Sequence, residues 1–267
     1  MDRIEYKYLM RKEDTPRFRE LLSSNVVLDK YSEIMPDKEY TVRSIYLDSA
    51  SFEYYHEKIS GIRLRRKLRI RGYNERTDDS YVFLEIKRKN GPAIYKHRAK
   101  VFFRNLPDLM RTGDINRYLA STGTSSKMLE DAQRFFYQMY KRNLRPVVLI
   151  DYEREAFFYK FDSGWRITID KNLRSTRTFT LDRLYEETNM IKMMPHHYIL
   201  EIKGPGLMPN CFREITGLLK VKLMAISKYT NSIDAHNNKY GHFYRDMKYN
   251  SAEFRLRKFG EIKELTA

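Results

Sequence analysis

The chain has 267 residues, 42% of them hydrophobic, enough to build the core of one large domain or two small ones. Its 51 Lys and Arg against 35 Asp and Glu leave +16, which points to a polyanionic partner: nucleic acid, an anionic membrane surface or a phosphate-rich small molecule. The single cysteine, Cys211, excludes a disulfide framework, the N-terminus has no apolar run of the secretory kind, and the aliphatic stretch Val147 to Ile150 is far too short for a membrane helix.

In chain order, strand alternation first appears over 3–9, and Thr15-Pro16 then opens a helix to about Ser23, with Pro at its first position. A strand over 41–48 ends at Asp48-Ser49, which caps a short helix through about Lys58. Strands follow at 64–73, 81–89 and 93–103, the last two joined by a hairpin at Asn90-Gly91-Pro92. Ser125-Ser126 precedes a longer helix to about Tyr140. Three more strands are expected at 146–153, 155–161 and 165–170, with Ser163-Gly164 turning the second into the third. A strand over 197–203 leads to a helix from Pro209-Asn210 through about Leu223, and Ser227-Lys228-Tyr229 reads as a helix end. The stretch 234–267 is amphipathic and charged, a helical C-terminal extension. So many hairpins favour an antiparallel sheet, and no linker or long repeat divides the chain. The expectation is a single α+β domain over 1–267, with eight to nine antiparallel strands and helices packed outside.

Six of these strands share one pattern, with charged residues two apart and an apolar or aromatic residue between them. They are Glu5-Tyr6-Lys7, Lys67-Leu68-Arg69-Ile70-Arg71, Glu85-Ile86-Lys87, Tyr152-Glu153-Arg154, Arg166-Ile167-Thr168-Ile169-Asp170 and Glu201-Ile202-Lys203. A period of two puts the charges on one sheet face and the apolar residues on the other. If the apolar face packs on helices, the charged face looks into solvent or into a lumen, and closing the sheet into a barrel also removes its vulnerable edges. A lumen lined with cations is self-repelling unless an anion fills it.

Each segment alone reads more simply as a solvated edge, but three Glu-x-Lys pairs on separate strands suit hard-metal and phosphate binding side by side. Arg69 and Arg71, two apart on one strand, match successive phosphate groups, and Arg154 with Arg166 supplies a second pair on neighbouring strands. His196-His197 points to opposite faces and reads as solvent-exposed, and Cys211 as a helix residue without an activating partner. The 21 Tyr and 15 Phe follow the apolar faces and read as core, so nucleic acid is not expected. No glycine-rich phosphate loop, nucleophile elbow or zinc spacing occurs, which leaves phosphate handling to side chains.

Arg3-Ile4-Glu5-Tyr6-Lys7-Tyr8, Ser44-Ile45-Tyr46-Leu47-Asp48, Lys67 to Arg71, Phe83 to Lys87, Asp151 to Arg154, Arg166 to Asp170, Leu200 to Lys203 and Ser227-Lys228-Tyr229 occur in the order of a VTC-type polyphosphate polymerase domain. The resemblance spans about 3–235 and extends to the triphosphate tunnel metalloenzymes. It implies a closed eight-stranded antiparallel tunnel holding ATP or another triphosphate with Mn²⁺ or Mg²⁺. Lys7, Arg69, Arg71, Lys87, Arg154 and Arg166 would be catalytic clamps, and Lys96, Tyr152, Lys203, Ser227 and Lys228 would bind phosphate. Glu201 would be the main metal ligand, supported by Glu5 and Glu85. Nine basic residues against three carboxylates would leave this lumen at +6. Arg3 stands where the wider superfamily has its first Glu, and Ala225 stands where a further lysine occurs in the eukaryotic polymerases. The implied reaction is transfer of the γ-phosphoryl group of ATP to inorganic polyphosphate. A triphosphatase of the same fold and a silent polyphosphate-binding module are the alternatives. The expected location is cytoplasmic, with any membrane attachment through a partner protein.

Overall fold

The alternating segments all enter one antiparallel sheet. The computed structural model describes residues 3–91, 93–119 and 125–237. Its strands are β1 (Arg3–Arg11), β2 (Val26–Leu28), β3 (Tyr40–Asp48), β4 (Leu64–Tyr73), β5 (Tyr81–Asn90), β6 (Ala93–Phe102), β7 (Arg145–Tyr159), β8 (Arg166–Arg177), β9 (Ile191–Lys192), β10 (His197–Pro205) and β11 (Lys222–Leu223). The order is β11-β1-β10-β8-β7-β3-β4-β5-β6, with β2 added to β7 and β9 to β8. Without the three short strands, β2, β9 and β11, eight long ones remain, the number implied by the family resemblance. The helices are α1 (Thr15–Ser23), α2 (Lys30–Glu33), α3 (Glu53–Ile59), α4 (Leu106–Thr112), α5 (Ile115–Leu119), α6 (Ser126–Lys141), α7 (Asn210–Leu218) and α8 (Lys228–His236).

The expected closure into a barrel is not made by a backbone ladder. The sheet has two ends, β6 and β11, which do not pair with each other. Each end strand is occupied otherwise. On β6, the Arg98 N–H donates to Asp131 at 2.9 Å and the Lys100 N–H to the Met128 sulfur at 3.4 Å, both from α6. On β1, Tyr8 and Leu9 are paired by β11. An edge covered in this way offers no free row of donors and acceptors for a closing strand. The sheet nevertheless rolls until its ends face each other, since Lys87 of β5 donates to Glu5 of β1 at 2.8 Å.

Alternation places the core outside the roll. On β4, Leu68 and Ile70 are 0% exposed and belong to the larger core, with Phe135 and Phe136 of α6 and Val148 and Ile150 of β7. A second core joins Met10, Ile167, Ile169, Leu200 and Ile202 to Phe18 and Leu22 of α1 and Phe212 and Ile215 of α7. Asp48 fastens these layers, accepting the N–H groups of Ser49, Tyr54 and Tyr55 and the Tyr229 hydroxyl, so that α3 and α8 are set against the end of β3. That is the expected cap at Asp48-Ser49.

Three boundaries differ from expectation. The segments 146–153 and 155–161 form one strand, β7, whose interruption is a bulge. Asn172, at φ 49°, and Leu173 lie opposite Tyr152 alone, and the register shifts between Asp151 and Glu153. The helix α7 stops at Leu218 because Lys220 turns left-handed, at φ 49°, into β11. Ser227 starts a helix instead of ending one, its hydroxyl accepting the Thr230 N–H as the N-cap of α8. Beyond His236, most of the extension expected over 234–267 lies outside the described residues, as does Pro92 of the hairpin.

On β10, Gly204 lies against the face of Trp165, and a Cβ there would sit 2.1 Å from the indole. Gly204→Ala should therefore lower stability by about 1–3 kcal/mol, the usual cost of overpacking. The expected reading is a lower urea midpoint with an unchanged slope. An unshifted midpoint would contradict this packing.

Candidate functional site

The inner face of the roll carries the charges. Thirteen residues line one cavity there: Glu5, Lys7, Tyr46, Lys67, Arg69, Arg71, Lys87, Tyr152, Arg154, Glu201, Lys203, Ser227 and Lys228. The empty space, about 570 Å³, includes open solvent. Eight of these side chains are basic and two are carboxylates. Small apolar ligands have no place in such a lining.

Two carboxylate centres organise the cations. The first is Glu85, directly opposite Arg69 of β4 and Arg98 of β6 in the ladder. Arg69 Nε donates to it at 2.8 Å, Lys96 Nζ lies at 2.8 Å, Arg98 Nε at 3.1 Å and Arg71 Nε at 4.0 Å. Burial by itself would raise the Glu85 carboxyl, but Arg69, Arg71 and Lys96 overcome it and hold the group well below the usual carboxylate range. The guanidiniums are fixed in turn from β3 and β7. Arg69 donates to the Tyr46 hydroxyl at 2.9 Å, and Arg71 donates to Ser44 at 3.0 Å and to the Tyr152 hydroxyl at 3.3 Å.

The second centre is Glu201 of β10. Lys203 lies 2.6 Å from it, Lys7 and Lys228 3.1 Å, and Arg154 3.7 Å. Lys7 and Lys203 also reach Glu5, at 3.6 and 2.9 Å, so the two carboxylates share both lysines. Behind them Asp170 takes Arg154 through two parallel hydrogen bonds, at 2.6 and 2.8 Å, and also accepts from Lys228. Burial pushes Glu201 up, but Lys203, Lys228, Lys7 and Arg154 bring it well below its ordinary value. Lys87 is lowered as well: burial, then the neighbouring Lys7, bring its ammonium down to about 8 despite Glu5.

Of the residues read from the sequence, Glu5, Lys7, Arg69, Arg71, Lys87, Tyr152, Arg154, Glu201, Lys203, Ser227 and Lys228 come together in this cavity. Three do not line it. Glu85 and Lys96 stand behind Arg69 as its buttress, and Arg166 is turned to Asp29 and the Tyr40 hydroxyl, at 3.0 and 3.1 Å. Lys67, Tyr46 and Asp170 were not among the expected site residues. Lys67 carries the same period-two signal as Arg69 and Arg71 and was accessible to that argument. The lining still balances at +6, with Lys67 entering as Lys96, Arg166 and Glu85 leave.

Glu5 and Glu201 supply a hard-oxygen donor set suited to a divalent cation, while Glu85 belongs to the other centre. No group of three or more His, Cys, Asp or Glu able to hold a metal occurs among the described residues. Phosphate oxygens and water would have to complete the shell of any divalent cation held by these two carboxylates.

Asp170 is 1% exposed, and its removal leaves Arg154 and Lys228 to compete for Glu201. Asp170→Asn should destabilise the fold by roughly 3 kcal/mol, as expected for breaking a buried ion pair from one side. Added inorganic triphosphate should restore part of the lost melting temperature, because it supplies the missing counter-charge. Wild-type melting in the variant would show that Asp170 does not hold these cations.

Comparison with known proteins agrees with the ordered motifs. A family model of the VTC domain matches residues 2–237. Over 160 residues, 53% of this chain, the sequence is 27% identical to subunit 2 of the vacuolar transporter chaperone complex of Saccharomyces cerevisiae. That match covers 19% of the yeast protein, so the chain spans only a small part of its relative. Among solved structures, a Bacillus halodurans protein provisionally called an adenylate cyclase aligns with a TM-score of 0.47 and 16% identity, covering 91% of this chain and all of that one. A Pyrococcus horikoshii protein aligns at 0.43 and 13% identity, covering 88% of this chain and 99% of the other. With the family model running from the first strand to the end of α8, the chain belongs to the VTC domain family.

Proposed function

We propose that this domain is a polyphosphate polymerase that moves the γ-phosphoryl group of ATP onto the end of an inorganic polyphosphate chain inside its rolled sheet, used as a tunnel. The carrying observation is the convergence of eight basic side chains from β1, β4, β5, β7, β10 and α8 on one cavity with two carboxylates. Such a lining favours an anion, and three linked phosphates distribute charge along it.

The reaction needs no nucleophile from the protein. A terminal oxygen of the acceptor phosphate forms the new bond to the γ-phosphorus, the bond from that phosphorus to the β,γ-bridging oxygen breaks, and ADP leaves with the electron pair. Arg69 and Arg71 are placed two apart on β4 to clamp successive phosphates with their planar forks. Lys7, Lys203, Lys228 and Arg154 surround Glu201 and would neutralise the charge that builds on the leaving oxygens. Tyr152 and Ser227 offer hydroxyls beside them. A Mn²⁺ or Mg²⁺ ion held by Glu201 and Glu5 would supply charge neutralisation on the phosphate oxygens. Lys96 and Glu85 act through Arg69 by fixing its direction.

The yeast relative is named as a subunit of a complex, which supports a protein partner for this chain as part of the same proposal. Among the described residues no helix is long and apolar enough to cross a membrane, so any membrane attachment of this part is assigned to such a partner. A cytoplasmic location, where ATP is available, completes the reading.

The test is incubation of the purified protein with ATP and Mn²⁺, followed by gel separation of polyphosphate and assay of free phosphate. Long chains are expected. Free phosphate alone would replace this reading with a triphosphatase, and neither product would replace it with a binding module. Arg69→Ala should lower the rate on the order of 10²–10³, the range for losing one electrostatic stabiliser. Activity that survives Glu201→Ala would refute the metal assignment.

A further inference from the structure

Seven of the eight cations that line the cavity have a carboxylate partner. Lys67 has none among the described residues, and its Nζ donates instead to the Ser227 hydroxyl at 2.7 Å. Cations face it from several elements. Lys87 is its direct register partner on β5, Arg69 follows two along β4, and Lys7 of β1 and Lys58 of α3 are close enough to repel it. From α8 it meets the Tyr229 ring, 6.0 Å away, whose hydroxyl is committed to Asp48.

The carboxylates on those elements point elsewhere. Glu5 serves Lys7, Lys87 and Lys203, and Glu85 serves Arg69, Lys96 and Arg98. Glu57 of α3 accepts the Arg66 N–H, and Asp234 of α8 accepts from Tyr55. Burial first, and then these neighbouring cations, hold the Lys67 ammonium well below its ordinary range.

We propose that Lys67 anchors a phosphate of the polyanion entering this cavity and takes up a proton from solvent as that phosphate arrives. The inference rests on the polyphosphate reading of the cavity and adds to it a phosphate-binding residue that gains its charge on binding. Every other lining cation must exchange a carboxylate for a phosphate, so it gains only the difference between two ion pairs. Lys67 exchanges a neutral hydroxyl acceptor for a charged one and gains a full charge-assisted hydrogen bond. An incoming phosphate also reverses the local repulsion, which favours the charged amine. Where the solution pH lies between the free and the bound pKa of Lys67, binding must carry a proton in; below both values the amine is already charged and none moves.

Calorimetric titration with inorganic triphosphate at pH 8–9, below the ordinary lysine pKa of about 10.4, tests this in buffers of different ionisation enthalpy. The slope of observed heat against buffer ionisation enthalpy counts the protons. Wild type should take up more protons than Lys67→Arg, whose guanidinium stays charged throughout. Lys67→Arg should bind within a few-fold of wild type, whereas Lys67→Met should bind about tenfold or more weakly, one ion pair being worth that much in a confined site. Equal proton counts in wild type and Lys67→Arg, or full affinity in Lys67→Met, would overturn the proposal. If wild type binds no triphosphate at all, the polyphosphate reading itself falls, and this one with it.

Discussion

Glu201 is held by Lys7, Lys203, Lys228 and Arg154, and two of those lysines are shared with Glu5. Glu85 is similarly shared by Arg69, Lys96 and Arg98, and Asp170 by Arg154 and Lys228. Cations thus outnumber the carboxylates available to them. Removing any one carboxylate strands more than one positive charge at low dielectric, which is more damaging than losing a surface pair. The excess is tolerable because the cavity opens to water.

The outer packing determines where the inner charges stand. Leu68 and Ile70, buried against the helical layer, lock the β4 pleat so that Lys67, Arg69 and Arg71 all point inward. Asp48 does the same for α8. Through the Tyr229 hydroxyl it sets the first turn of that helix, and with it Ser227 and Lys228 reach the cavity rim from outside the sheet. Tyr152 and Arg154, two apart on β7, share the inner face, and the extra residue of the bulge opposite Tyr152 lies in β8. Side chains from β1 and β5 then bridge the two ends of a roll whose edges are already covered by β11 and α6.

Strand periodicity made most of this legible, because inward and outward faces follow from alternation alone. Position along the strand does not. Arg166 has the right face but lies at the end of β8, where Asp29 and Tyr40 are nearer than the cavity. Lys96 and Glu85 face inward too, yet sit behind Arg69, because only the ladder register reveals that Glu85 stands opposite both Arg69 and Arg98. Asp170 has the sequence appearance of a strand-end carboxylate, and its role depends on Lys228, which approaches from another element 58 residues away. The start of α8 was hidden for a related reason. Its cap is a serine, and what fixes the turn is the distant Asp48, which no local pattern announces. Closure was misjudged because backbone donors on β6 are taken by side chains of α6, an alternative to strand pairing that alternation cannot show.

The ion pairs that organise the empty cavity also define what substrate entry must do in the proposed reaction. A phosphate that takes Lys203 or Lys7 takes it from Glu201 and Glu5, leaving two buried carboxylates with fewer counter-charges. Left that way, they would repel the polyanion that displaced their partners. Three outcomes restore balance: the carboxylates protonate, the lysines bridge carboxylate and phosphate together, or a divalent cation enters with the substrate. Protonation is opposed by Arg154 and Lys228, which stay beside Glu201 when Lys203 or Lys7 leaves. Bridging is limited by the three donors of each ammonium, already divided between two carboxylates at Lys7 and Lys203. A divalent cation arriving with the phosphates would meet both needs, with Glu201 and Glu5 as its proposed protein donors.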